Sequence, residues 1–225
     1  MAAIGGGLGH KVPVHGEVHT IVGGFSGGGC SASQRRRYAR TMMSVETQRT
    51  DDAFDVDLVF TKADLEDVDP HDNNPVVIMT VTAGRKVHRV LVDQGSSANV
   101  MFWTTFNKLQ LSSDMLRPYG DCLYNFAGDQ VEVLEYLELR TTFTDGTASR
   151  TESTRYLVVN ASSGYNMLGR PTLNRLEAVP STRHMKMKLP DLTRKMITIK
   201  SDQNEAKKCY KNRQKMKKRG IHGHC

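Results

Sequence analysis

Hydrophobic and polar positions divide the chain into unequal parts. From Met1 to about Arg49 the apolar residues keep no period, and glycines cluster at Gly5 to Gly7, Gly23, Gly24 and Gly27 to Gly29. That composition predicts a flexible arm over residues 1–50. Asp51 to Asp72 alternates acids with apolar residues and runs into a turn between Pro70 and Pro75, which predicts an acidic linker over 51–73. From Val76 onward, short β-branched runs alternate with turn residues, the pattern of an all-β domain rather than of strand–helix–strand units. The domain is expected over 74–200, with a basic tail over 201–225.

Within the domain, Val76 to Val81, a turn at Thr82 to Arg85, and Lys86 to Val92 predict a hairpin. Phe102, Phe106 and Leu109 recur at helical spacing and predict a short helix. Gln130 to Phe143 and Thr154 to Val159 read as strands around an Asp145-Gly146 turn. Pro171 to Leu176 predicts one helix opened by proline. His184 to Leu189 and Lys195 to Lys200 predict a last hairpin around Pro190-Asp191. No internal repeat is evident.

A length of 225 residues accommodates one domain with a core plus flanking segments. The longest apolar stretches, such as Val76 to Met79 and Val100 to Trp103, are far shorter than a membrane-spanning helix, and the first residues carry no secretory pattern. An intracellular, cytoplasmic protein is therefore expected, with nuclear entry through the basic tail as a variant. The net charge of +7 is unevenly spread: +4 over residues 1–50, −4 over 51–199 and +7 over 200–225. Basicity sits in the ends, so the central body is not expected to bind a polyanion. Cys30, Cys122, Cys209 and Cys225 are far apart and form no C-x-x-C pair.

The most informative segment is Val90-Leu91-Val92-Asp93-Gln94-Gly95-Ser96-Ser97. An apolar strand that ends in an acid, a glycine and small hydroxyl residues places a carboxylate at the edge of a core. Two readings fit: an acid poised for proton transfer, or a strand-terminal Asx turn with Gly95 at positive φ.

A second segment bears on the choice. Tyr156-Leu157-Val158-Val159, followed by Asn166-Met167-Leu168-Gly169-Arg170-Pro171, resembles the apolar-apolar-Gly-Arg element that follows the catalytic acid in retropepsins, the aspartic proteases of retroviruses and LTR retrotransposons. Asn99 to Trp103, Phe126-Ala127-Gly128, Arg140 to Phe143, Gly169 to Leu176 and Ser181 to Pro190 extend the likeness to the protease region of plant gypsy-type Gag-Pol polyproteins, over roughly Gly23 to Gly220. The resemblance implies a closed all-β barrel with one short helix after Gly169. It also implies an aspartic endopeptidase without cofactor or metal, acting on Gag-Pol polypeptide. Asp93 would be catalytic, Gly95 would let backbone approach it, and Ser96 would hydrogen-bond its carboxylate. Phe126, Ala127 and Gly128 would form a flap, and Leu168, Gly169 and Arg170 would support the site. A single such acid implies a homodimer, because the chemistry needs two carboxylates.

The chain departs from that pattern in places. Gln94 replaces the family's Thr or Ser that braces the paired acids, and only Met167 and Leu168 precede Gly169 where relatives carry three apolar residues. Glu135 and Arg194 stand where glycine is expected, at turns or bulges needing positive φ. Together these suggest a decayed copy. The competing class is a non-catalytic dimerisation module whose tail, with Lys207, Lys208, Lys211, Arg213, Lys215, Lys217, Lys218 and Arg219, binds RNA or DNA weakly. His222, His224, Cys209 and Cys225 lack metal-ligand spacing. The glycine clusters lack the phosphate-loop signature. Gly95-Ser96-Ser97 does not make a serine-hydrolase elbow. His88, at odd spacing from Asp93, is expected to face away from it.

Overall fold

The computed structural model describes residues 57–71, 73–121, 123–124, 130–160 and 165–208. Twelve strands carry the described fold. They are β1 (Val77–Thr82), β2 (Arg85–Val92), β3 (Asn99–Phe102), β4 (Arg117–Pro118), β5 (Leu123–Tyr124), β6 (Gln130–Val131), β7 (Val133–Thr144), β8 (Ser149–Val159), β9 (Asn166–Leu168), β10 (Val179–Ser181), β11 (Lys186–Pro190) and β12 (Met196–Lys200). Helices α1 (Trp103–Leu109) and α2 (Arg170–Arg175) are joined by a further helical turn, α3, over 203–208. The helix expected after Gly169 is α2.

The strands pair in the order β1-β2-β9-β3-β8-β7, and β7 pairs back onto β1 through Val81–Thr142 and Thr82–Thr141. This closes a six-stranded barrel, so none of the six leaves both its edges unpaired. The all-β closed barrel expected from the sequence is present.

Sequence pattern accounts for the main pieces. The β1–β2 turn places Ala83 at φ 50° and Gly84 at φ 74°, the two positive angles that a tight two-residue hairpin loop requires. Strand β7 alternates strictly from Leu137 to Phe143, with Leu137, Leu139, Thr141 and Phe143 buried and Glu138 and Arg140 exposed. The last four residues of β8, Tyr156 to Val159, are buried on both faces. One face meets the barrel core. The other meets a smaller cluster of Val100, Phe102 and Val159, packed by Leu123, Val131 and Met167. Phe106 is buried and Trp103 stacks on it at 5.1 Å, so both serve packing.

Two positions expected to need glycine behave differently. Arg194 has φ 66°, as the pattern implies, whereas Glu135 lies beside a register shift in β7 without a positive φ. A bulge of that kind bends the strand without demanding glycine. A second bulge opposes Met79 to His88 and Arg89, and Arg89 has φ 60°. His88 is exposed.

Segments flanking the barrel pack onto it. The described part of the stretch expected as an acidic linker lies along β11 and β12: the Lys188 ammonium donates to Asp64 Oδ2 (2.8 Å) and Val59 O, Lys186 donates to Asp64 O, and Lys200 pairs with Asp67. Past β12, Ser201 Oγ exchanges hydrogen bonds with Val77 N and O, Asp202 N donates to Val77 O, and Ala206 is fully buried. Gln203 and Asp69 bond each other reciprocally, so the two flanks meet.

The Lys188 hydrogen bond, with help from the Thr61 N–H and Lys186, holds the Asp64 carboxyl down to about 2. Its folded value lies below the unfolded one, near 3.9. The stabilisation is therefore complete above that value and is lost as pH falls through about 2. Asp64→Asn is expected to lose on the order of 1 kcal/mol at pH 5 and progressively less on acidification below about pH 4, read from urea unfolding as a function of pH.

Candidate active site

Asp93 lies directly after β2, where β2 and β9 run parallel with Val90–Asn166, Leu91–Met167 and Val92–Leu168 in register. Strand β9 is inserted between β2 and β3, two strands that are neighbours in sequence. The loop joining them, residues 93–98, must therefore arch over the end of β9. It meets the Gly169 turn there.

Hydrogen bonds fix this junction. Asp93 N donates to Leu168 O (2.9 Å), Ser96 N to Asp93 O (3.2 Å) and Arg170 N to Ser96 O (3.0 Å). Gly95 N donates to Asp93 Oδ1 (2.8 Å), an Asx turn that aims the carboxyl group. Among the described residues, Asp93 Oδ2 has no hydrogen-bond partner. Asp93 is half-buried, while Gln94, Gly95 and Ser97 are exposed at the tip.

Both glycines are present for close approach. Gly95 lacks the positive φ expected of it from the sequence; a Cβ there would lie 3.1 Å from Asp93 Oδ1. At Gly169 a Cβ would lie 2.3 Å from Ala98 O and 2.8 Å from Ser96 O, inside van der Waals contact with rigid backbone. Leu168 is fully buried beneath the junction. The Arg170 guanidinium reaches Gln94 O at 3.4 Å.

Some expected roles are redistributed. Ser96 Oγ donates to Ala98 O (2.7 Å) and accepts from Ala98 N, so it shapes the loop and does not bond the carboxylate. A hydroxyl two residues from a free carbonyl finds that local partner first. The side chain of Gln94 is exposed with no partner among the described residues. Flap residues Phe126, Ala127 and Gly128 lie outside the described residues. The stem that would carry them is described: β5 and β6 pair through Leu123–Val131 and Tyr124–Gln130. Leu123, Val131 and Met167 pack on Val100, Phe102 and Val159.

Of the tail lysines, Lys207 pairs with Asp69 and Lys208 with Glu205. Lys211, Arg213, Lys215, Lys217, Lys218 and Arg219 lie outside the described residues, as do Cys209, His222, His224 and Cys225. Among the described residues no cluster of His, Cys, Asp or Glu is arranged to hold a metal. No helix there is long and apolar enough to cross a membrane.

Sequence reasoning did not single out Asn99 or Arg150. Asn99, buried at the start of β3, accepts from Gly169 N (2.9 Å) and donates to Arg155 O (2.8 Å). Arg150, buried in β8, donates to Arg175 O, Leu176 O and Pro190 O and pairs with Glu152.

No protein-family model matches the chain, and no curated protein matches it. Among solved structures it is similar to the EIAV protease complexed with the inhibitor HBY-793, at 21% identity and a TM-score of 0.39, covering 51% of this chain and 99% of that one. The retroviral protease-like domain of Ddi1 from Leishmania major aligns at 10% identity and a TM-score of 0.43, over 59% of this chain and 94% of that one. A retropepsin-like aspartic protease from Rickettsia conorii aligns at 13% identity and a TM-score of 0.34, over 55% and 78%. At such scores none of them decides the chemistry of the Asp93 loop.

Proposed function

We propose that the chain is an aspartic endopeptidase whose active unit is a homodimer, with Asp93 of each copy facing its counterpart across a two-fold axis. The observation that carries the reading is the Asp93 carboxyl group itself. One oxygen is held by Gly95 N, the other has no partner among the described residues, and the loop tip beside it is exposed. A lone carboxylate can take a proton from water, but peptide hydrolysis also needs an acid to protonate the scissile carbonyl. Two Asp93 groups sharing one proton supply both roles.

In this mechanism a water lodged between the carboxyls loses its proton to one of them. Its oxygen attacks the carbonyl carbon while the other carboxyl protonates the carbonyl oxygen. Collapse of the tetrahedral intermediate expels the amine, which takes up a proton, and water has been added across the peptide bond. Gln94 at the exposed tip is placed by this reading at the two-fold contact, where its amide replaces the hydroxyl brace of the family. Phe126 to Gly128 would close over substrate from the β5–β6 stem and exclude water. Substrate would be an extended polypeptide, and by sequence resemblance the polyprotein of an LTR retrotransposon. The folded unit would include both flanks, 57–71 and 201–208, alongside the barrel.

The RNA-binding alternative gains nothing from the two tail lysines that are described, because both are engaged by acids of the chain itself. The test is hydrolysis of extended peptides at about pH 5 by the purified chain and by its Asp93→Asn variant. The reading requires activity in the first and its loss in the second.

A further inference from the structure

Strand β9 is bound to β3 by very little backbone: the antiparallel pairing registers only Val100–Met167. Two asparagine amides extend it. At one end Asn166 Oδ1 accepts from Phe102 N (3.1 Å); at the other, beside the Asp93 loop, Asn99 Oδ1 accepts from Gly169 N (2.9 Å). These side chains stand where ladder hydrogen bonds would otherwise run.

Asn99 does more than Asn166, because its amide nitrogen also donates to Arg155 O of β8 at 2.8 Å. The two partners have opposite polarity: Gly169 N can only donate and Arg155 O can only accept. The amide orientation is therefore forced, and a side chain of this length must both accept and donate to satisfy the pair. Asn99 is 3% exposed, so water does not replace either bond.

We propose that Asn99 is the positioning residue of the Asp93 loop, an inference that rests on the proposed function for its catalytic consequence. It holds Gly169 N, Gly169 packs without a Cβ against Ala98 O and Ser96 O, and Arg170 N then meets Ser96 O. Ser96 N bonds Asp93 O, and Asp93 N bonds Leu168 O, which closes the circuit around the acid. The Asn99 amide is the side-chain link in that circuit that reaches outside it, to β8.

The test uses the full chain at about pH 5, with amide hydrogen exchange followed by NMR and peptide turnover followed in parallel. Asn99→Leu keeps the size and removes both bonds; Asn99→Asp keeps the acceptor for Gly169 N. In Asn99→Leu the Gly169 and Ser96 amides are expected to lose protection by at least about tenfold relative to amides of the β11–β12 hairpin. Turnover is expected to fall about 10- to 100-fold in kcat, with KM changed less than about threefold. In Asn99→Asp, burial against Arg155 O favours the protonated carboxyl, which accepts from Gly169 N and donates to Arg155 O as the amide did. At about pH 5 this variant is expected to retain Gly169 protection and most of kcat, which also guards against a Leu variant that fails to fold. Unchanged loop protection in Asn99→Leu would overturn the proposal, as would lost protection with undiminished turnover. A parent chain that cleaves no peptide counts against the proposed function, and the exchange data then decide the positioning of the loop by themselves.

Discussion

Asp93→Asn is expected to lower kcat/KM for peptide hydrolysis by about 10⁴-fold while leaving the folded structure in place. The substitution is nearly isosteric and retains Oδ1, the atom that accepts from Gly95 N at 2.8 Å, so the Asx turn survives. What is lost is the ability of the second position to take up and return a proton. In a dimer both acids change at once, and neither remaining amide can serve as base. Peptide turnover at about pH 5, together with thermal unfolding of the same samples, checks both halves of the statement. A loss smaller than about tenfold, at unchanged stability, would place the chemistry elsewhere.

The second large effect concerns stability. Arg150→Met is expected to destabilise the chain by about 3–5 kcal/mol, a fall in the melting temperature of about 10 °C or more for a domain of this size. Arg150 is 8% exposed and its guanidinium is shared among Arg175 O (2.7 Å), Leu176 O (3.2 Å) and Pro190 O (3.2 Å), with Glu152 on its Nε. The first two carbonyls are among those left unpaired at the end of α2, which a helix must satisfy from outside. Methionine fills the volume but supplies no donor, and it strands Glu152. Lysine restores the charge without the planar fork, so Arg150→Lys is expected to recover less than half of the loss. Calorimetry on the three chains checks the order.

Local pattern made most of the barrel legible. The β1–β2 hairpin, the alternation in β7, the short helix after Phe102 and the last hairpin each carry their signal in consecutive residues, because turn chemistry and period-two burial are local properties. Asp93 was legible for the same reason, as an acid closing an apolar strand ahead of a glycine. The precise jobs of its neighbours were not. Whether Gly95 is needed for its φ or for proximity depends on where Asp93 Oδ1 sits, and Ser96 chooses Ala98 O over the carboxylate through loop geometry that sequence does not encode in any period.

Asn99 and Arg150 stayed hidden because their partners are far along the chain. Asn99 reaches Arg155 and Gly169, and Arg150 reaches Arg175, Leu176 and Pro190. A buried polar residue in a β-rich stretch looks like a flaw in the hydrophobic pattern until the carbonyls and amides it satisfies are known. The flanks were missed for a related reason. Alternating acids over 51–73 read as an acidic linker, and only the lysines of β11 and β12, more than a hundred residues later, show what Asp64 and Asp67 pair with.

The central claim is that one active site needs Asp93 from two copies, and subunit mixing tests it most directly. Parent chain is mixed with a threefold excess of Asp93→Asn, the dimers are allowed to exchange, and turnover is expressed per parent molecule. If the acids are shared across a two-fold axis, about one parent chain in four finds a parent partner, and turnover per parent molecule is expected to fall to about a quarter. Turnover that stays proportional to parent chain, with no loss at any excess of the variant after exchange, would show that each copy carries a complete site and would contradict the account.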